Sequence, residues 1–99
     1  MEELNKVEVI GIVGKCLTLT THDKQHTRFE LASSRLDIDE EGKRAIEITW
    51  LLCSTFNAPE GLRNGAKVKV TGRLRSKTVD KSGETHYITE ILAQSVELL

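Results

Sequence analysis

Polar and apolar residues alternate with period two along most of this 99-residue chain, which leaves little room for helices. Val7 and Val9, Leu17 and Leu19, Phe29 and Leu31, and Val68 and Val70 each stand two apart across a polar neighbour. A strand sends successive side chains to opposite faces, so this pattern describes half-buried β-strands. It divides into segments at Leu4 to Thr20, Thr27 to Ala32, Ala45 to about Cys53, Ala66 to about Thr78, and Glu84 to Leu98. Gly11 and Gly14 interrupt the first and are expected at bulges or sharp bends of a long, curved strand.

The connections are punctuated by turn-forming residues. Thr21 to His26 reads as a hairpin connection, and Asp80-Lys81-Ser82-Gly83 as a hairpin turn. Ser33 to Arg44 is polar, acidic and ends Gly-Lys-Arg, so it is expected to be a long mobile loop. Asn57 to Gly65 can hold at most a short helix, with Pro59 suited to its first turn. Five strands, a long curved first one and a place for a helix between the third and fourth predict an all-β Greek-key barrel, the five-stranded OB-fold. An SH3-like barrel would need shorter strands and tighter spacing. Residues 1–99 make a single domain, long enough to bury a core without metal or disulfide staples.

Composition narrows the function by exclusion. With 14 basic and 15 acidic residues, the chain lacks the strongly basic balance of a duplex-DNA binder, although a local cationic groove remains open to it. Cys16 and Cys53 lack CxxC spacing and no secretory signal precedes them, so both are expected to be reduced, partly buried thiols of a cytoplasmic protein. No apolar run approaches the length of a membrane span. His22 and His26 fall in a hairpin, where a helical metal spacing has no meaning, and Cys16, Cys53 and His86 are scattered, so no metal site is expected. The carboxylates of Asp37 to Glu41 read as a solvated loop. No nucleophile with an adjacent base and no glycine-rich phosphate loop is visible. The expectation is a protein that is not an enzyme and uses no cofactor.

Aromatics make up only 4% of the chain, and Ile48-Thr49-Trp50-Leu51-Leu52-Cys53-Ser54-Thr55-Phe56 holds the only tryptophan and one of two phenylalanines. An even separation puts Trp50 and Phe56 on one sheet face if the strand runs that far, either as core or as a platform for flat ligands. Phe29, between Arg28 and Glu30, reads as core, and Tyr87 is ambiguous. Arg73, Arg75 and Lys77 share parity on the fourth strand. Lys81 extends that run to a hairpin tip, and Lys43 and Arg44 add a second cationic loop. Either these are a solvated charged face or they are partners for phosphates.

The order of these pieces resembles the bacterial-type single-stranded DNA-binding protein family. Asn5-Lys6-Val7-Glu8-Val9-Ile10-Gly11-Ile12-Val13-Gly14-Lys15 is similar to that family's opening strand, and Phe29-Glu30-Leu31-Ala32-Ser33 to its second. Ile48-Thr49-Trp50 followed by Phe56 resembles the third, and Gly65 to Lys77 the Gly-x-x-Val-x-Val-x-Gly-x-Leu-Arg stretch of the fourth. Tyr87 to Ile91 and Val96 to Leu99 resemble the closing strand. The chain departs in lacking the usual first-hairpin sequence and stacking aromatics near Leu36 and Asp37 and at Thr78-Val79. The linker and acidic tip with which family members recruit other proteins are also absent, as in a shortened or a naturally minimal chain.

The resemblance implies sequence-tolerant binding of single-stranded DNA in replication, recombination or repair. Trp50 and Phe56 would stack bases, while Arg73, Arg75, Lys77, Lys81, Lys43 and Arg44 would hold phosphates. Asn5, Lys6, Val7 and Val9 would lie at a dimer or tetramer interface. The alternative is a primosomal, replication-restart relative whose main partners are replication proteins. A third possibility is an RNA-binding or purely structural OB module.

Overall fold

The computed structural model describes residues 2–99, which form five strands: β1 (Val7–Thr21), β2 (Lys24–Ile38), β3 (Arg44–Thr55), β4 (Lys67–Lys81) and β5 (Glu84–Leu98). They close into a barrel in the order β1-β2-β3-β5-β4, the predicted five-stranded OB topology. All neighbours are antiparallel except β3 and β5, which run parallel over the short contact Cys53↔Ile91 to Thr55↔Ala93. Closure pairs part of every strand on both sides, while the start of β1 pairs with β4 alone. The core is built from the alternating residues on the inner side: Val13, Phe29, Leu31, Cys53, Val68, Val70, Ile91, Ala93 and Val96.

Two connections tighten the strands beyond the sequence expectation. β1 and β2 meet at His22 and Asp23, both at positive φ (52° and 64°), and β4 and β5 meet at Ser82 and Gly83 (52° and 79°). Two-residue turns of this kind match the right-handed twist of the strands they join. Asp23 tolerates that backbone better than most residues. The first hairpin therefore has no six-residue connection, and β2 already begins at Lys24.

The largest correction concerns Ser33 to Arg44, which is not a loop. β2 and β3 remain paired from Thr27↔Thr55 out to Ile38↔Arg44, forming an arm that projects beyond the barrel. Only Asp39 to Lys43 form the turn. Asp39 Oδ1 accepts from the backbone N–H groups of Glu41 and Lys43, each at 2.9 Å, and Gly42 takes φ 79°. Beyond Ala32 neither side of the arm packs on a core, so polar residues occupy positions that would otherwise be apolar. That polarity hides the strand.

The segment between β3 and β4 holds turns and bends rather than a helix. It is fastened to β1 by Gly65 N–H donating to Val13 O and Val13 N–H donating to Ala66 O, both at 2.8 Å. Of the two early glycines, only Gly14 lies at a bulge, where the β1–β2 register shifts between Val13 and Cys16. Gly11 stays in register opposite Val68.

Candidate nucleic-acid interface

Register sorts the two faces of the β2–β3 arm. One face carries Arg28, Glu30, Ala32, Ser34, Leu36 and Ile38 from β2, paired with Ser54, Leu52, Trp50, Ile48, Ile46 and Arg44 from β3. Phe29, Leu31, Cys53 and Leu51 occupy the other face and point into the barrel. Trp50 is therefore on the outside, 62% exposed, and Phe56, just past the end of β3, is 54% exposed. Neither is core, whereas Phe29 is.

Trp50 rests in a trough made by small residues. A β-carbon on Gly14 would stand 3.3 Å from Trp50 Cζ3 and 3.3 Å from Glu30 Cβ. Because β2 lies between β1 and β3, the indole must cross β2 to reach Gly14. Ala32, the residue paired with Trp50 on that face, presents only a methyl group. The ring is thus laid against the sheet with much of its surface open. Phe56 is held differently: the His26 ring packs against it at 5.7 Å between centroids, tilted by 49°. His26 therefore supports an aromatic, and His22 sits apart in the β1–β2 turn.

Beside Trp50 the face deepens into a groove of about 350 Å³. It is lined by Lys15 and Leu17 of β1, Arg28, Phe29 and Glu30 of β2 and Leu52 and Cys53 of β3, and it reaches down to the buried Phe29 and Cys53. The β4–β5 hairpin forms the wall through Lys77, Val79, Ile88 and Glu90. The arrangement suits a ligand with flat apolar faces and a regular anionic backbone.

The expected cations divide into distinct environments. Lys77 lines the groove, and neither it, Arg73, Lys81 nor Arg44 has a carboxylate partner among the described residues. Arg75 does: its Nε donates to Glu90 Oε1 at 2.7 Å, and Glu90 is only 5% exposed. Arg75 thus neutralises a buried carboxylate through its Nε and is not the unpaired cation that strand parity suggested. Lys43, at the arm's turn, lies 3.7 Å from Glu41 with both side chains exposed, a weak pairing. Tyr87 is exposed on the face opposite the groove-lining Ile88 and does not join the site.

Sequence reasoning missed Lys15, Leu17, Arg28 and Leu52. Parity was the available signal for two of them: if Phe29 is core, Arg28 lies on the outer face, and Leu52 shares the parity of Trp50. Lys15 carried no such signal, because the bulge at Gly14 breaks the alternation.

The expected oligomer residues are redistributed. Val7 and Val9 pack against the chain's own core. Asn5 extends the β1–β4 ladder through its amide, donating from Nδ2 to Leu74 O at 2.8 Å and accepting from Leu74 N–H at 2.9 Å. Lys6 pairs with Glu8 at 3.4 Å. Ile10 and Ile12, of opposite parity to Val9, are the exposed apolar side chains of the first half of that strand.

Both cysteines are free thiols. Burial, reinforced by the nearby Glu90 charge, pushes the Cys53 thiol up to about 12, and burial also raises Cys16. Neither is primed as a nucleophile.

Comparison with known proteins agrees with this architecture. Residues 4–99 match the model of the single-strand binding protein family. A Streptococcus agalactiae protein named single-stranded DNA-binding protein 2 is 36% identical over 96% of this chain and 76% of its own length. A Streptococcus pyogenes single-stranded DNA-binding protein 1 is 35% identical over the same shares. Among solved structures, a Plasmodium falciparum SSB in complex with ssDNA superposes with a TM-score of 0.87, covering 100% of this chain and 97% of the other at 22% identity. A small single-stranded DNA-binding protein from Streptomyces coelicolor gives 0.71, covering 99% and 95% at 21% identity. The last two establish the fold, and the family model with the streptococcal relatives establishes the lineage: this chain belongs to the single-strand binding protein family.

Proposed function

We propose that this protein binds single-stranded DNA without sequence preference, by stacking bases on Trp50 and Phe56 and holding phosphates with cations at the groove rim. The observation that carries this reading is the Trp50 indole, laid across β2 onto Gly14 with its outer surface open. Stacking contributes about 1–3 kcal/mol per base and tolerates any base, because every base has a π face. Lys15, Arg28, Lys77 and Arg73 are the phosphate partners in this reading, with Arg44, Lys43 and Lys81 at the hairpin turns.

The missing aromatic near Leu36 is replaced by an aliphatic ladder. Leu36, Ile38, Ile46 and Ile48 continue the Trp50 face along the arm, and Ile46 is 72% exposed. Asp37 and Glu47 fall on the opposite face. The arm thus presents bases with apolar surface free of carboxylates. Without stacking there, binding leans on Trp50 and on charge, so affinity falls steeply with salt.

The working form in this reading is a homo-oligomer in the bacterial cytoplasm, serving replication, recombination or repair. Val7 to Gly11 of β1 pair with β4 on one side only, because pairing with β2 starts at Ile12. That open edge, with Ile10 exposed beside it, is where a second copy would join. The test is Trp50→Ala: affinity for oligo(dT) should fall at least fivefold while the melting temperature stays near wild type. Unchanged affinity would refute the stacking assignment.

A further inference from the structure

We propose that the DNA strand does not leave the protein at β1 but continues over it into a second groove bounded by Arg63. This rests on the single-strand reading of the Trp50 face and extends its path. The second groove, about 550 Å³, is lined by Lys15, Cys16, Leu17, Leu62, Arg63 and Asn64. Lys15 and Leu17 belong to both grooves, so they form a shared ridge. Crossing the sheet from the β4–β5 wall, a strand meets Leu52 on β3, then Arg28 on β2, then Leu17 on β1. The next surface in that direction is the second groove.

Three features suit this groove to a nucleic-acid segment. Its apolar lining residues, Leu17 on the ridge and Leu62 beyond it, continue the base-facing surface. Lys15 and Arg63 stand on its two sides, neither in an ion pair among the described residues. Its outer wall is also fixed in place. The β3–β4 segment is held to β1 by the two backbone hydrogen bonds at Val13, and the Cys16 thiol points at Leu62 O, 3.8 Å away. Within the segment, Ala66 N–H donates to Arg63 O at 3.1 Å. Arg63 is therefore presented from a turn whose backbone is fixed, within reach of a phosphate passing the Lys15 ridge.

Oligonucleotide length tests the path. Titrations with dT oligomers of about 6 and about 16 nucleotides, near the ends of the range one OB barrel covers, would compare wild type with Arg63→Ala and Arg63→Lys. The exposed Arg63 has no core role, so both variants should fold. Arg63→Ala should leave the short oligomer's affinity unchanged and weaken the long one roughly 3- to 10-fold. Its log–log salt slope should become shallower by about 0.7, one single-strand phosphate contact. Arg63→Lys should restore most of the slope. An unchanged long-oligomer slope in Arg63→Ala, or equal weakening at both lengths, would overturn the proposal. If wild type bound neither length, the reading of the Trp50 face would fall and the extension with it.

Discussion

Replacing Gly14 with valine should weaken DNA binding without altering a residue assigned to touch DNA. The β-carbon of an alanine there would stand 3.3 Å from Trp50 Cζ3, slightly inside ordinary carbon–carbon contact of about 3.5–4.0 Å. A shift of a few tenths of an ångström relieves it, so Gly14→Ala should cost less than about twofold, a small part of the stacking energy. Valine adds two methyl groups where the ring lies and forces the indole off its seat. The loss then approaches the whole Trp50 contribution, about 1–3 kcal/mol or roughly 5- to 150-fold in affinity. Anisotropy of a labelled oligo(dT) gives the affinity independently of the tryptophan signal, and a thermal melt confirms that the barrel persists. The decisive comparison is a double-mutant cycle, since residues in contact do not act additively. In a Trp50→Ala background, Gly14→Val should cost almost nothing further. Equal weakening in both backgrounds, or none in either, would refute the trough as the device that sets the platform.

Other substitutions separate structural from binding charges. Arg75→Ala strands the buried Glu90 carboxylate and should destabilise the fold by about 1–3 kcal/mol in urea denaturation. Lys77→Ala should change stability by less than about 0.5 kcal/mol yet make the salt slope of binding shallower by about 0.7. For the thiols, Cys16 should react with an alkylating reagent at pH 8 well before Cys53. The Cys53 thiol, raised from 9.0 to about 12, stays protonated at that pH and should react only on unfolding, as mass spectrometry of the native and denatured protein would show. If the open β1 edge joins two copies, Ile10→Glu should lower the mass measured by light scattering, while a Lys6→Ala change should not.

The barrel was legible because its core residues repeat with period two, from Val68 and Val70 to Ile91 and Ala93. The β2–β3 arm was not, because a strand pair outside the barrel needs no apolar inner face. Ser33, Arg35 and Asp37 therefore read as loop although they pair with Thr49, Glu47 and Ala45. Leu36, Ile38, Ile46 and Ile48 keep the strand period on the outer face, and that was the signal available. Within the site, Trp50 and Phe56 stood out by rarity and parity. Same-face parity of Arg73, Arg75 and Lys77 could not reveal that Arg75 meets a buried Glu90, because that pairing depends on the β4–β5 register. Lys15 was hidden by the bulge, and Arg63 by a segment whose only constraint in sequence was Pro59.

The single tryptophan allows a direct test of the central claim. Trp50 fluorescence should be strongly quenched on titration with single-stranded oligo(dT), with affinity falling as salt rises, and should respond little to duplex DNA of the same length. Absence of quenching at low salt would contradict base stacking on Trp50, and so would equal quenching by duplex.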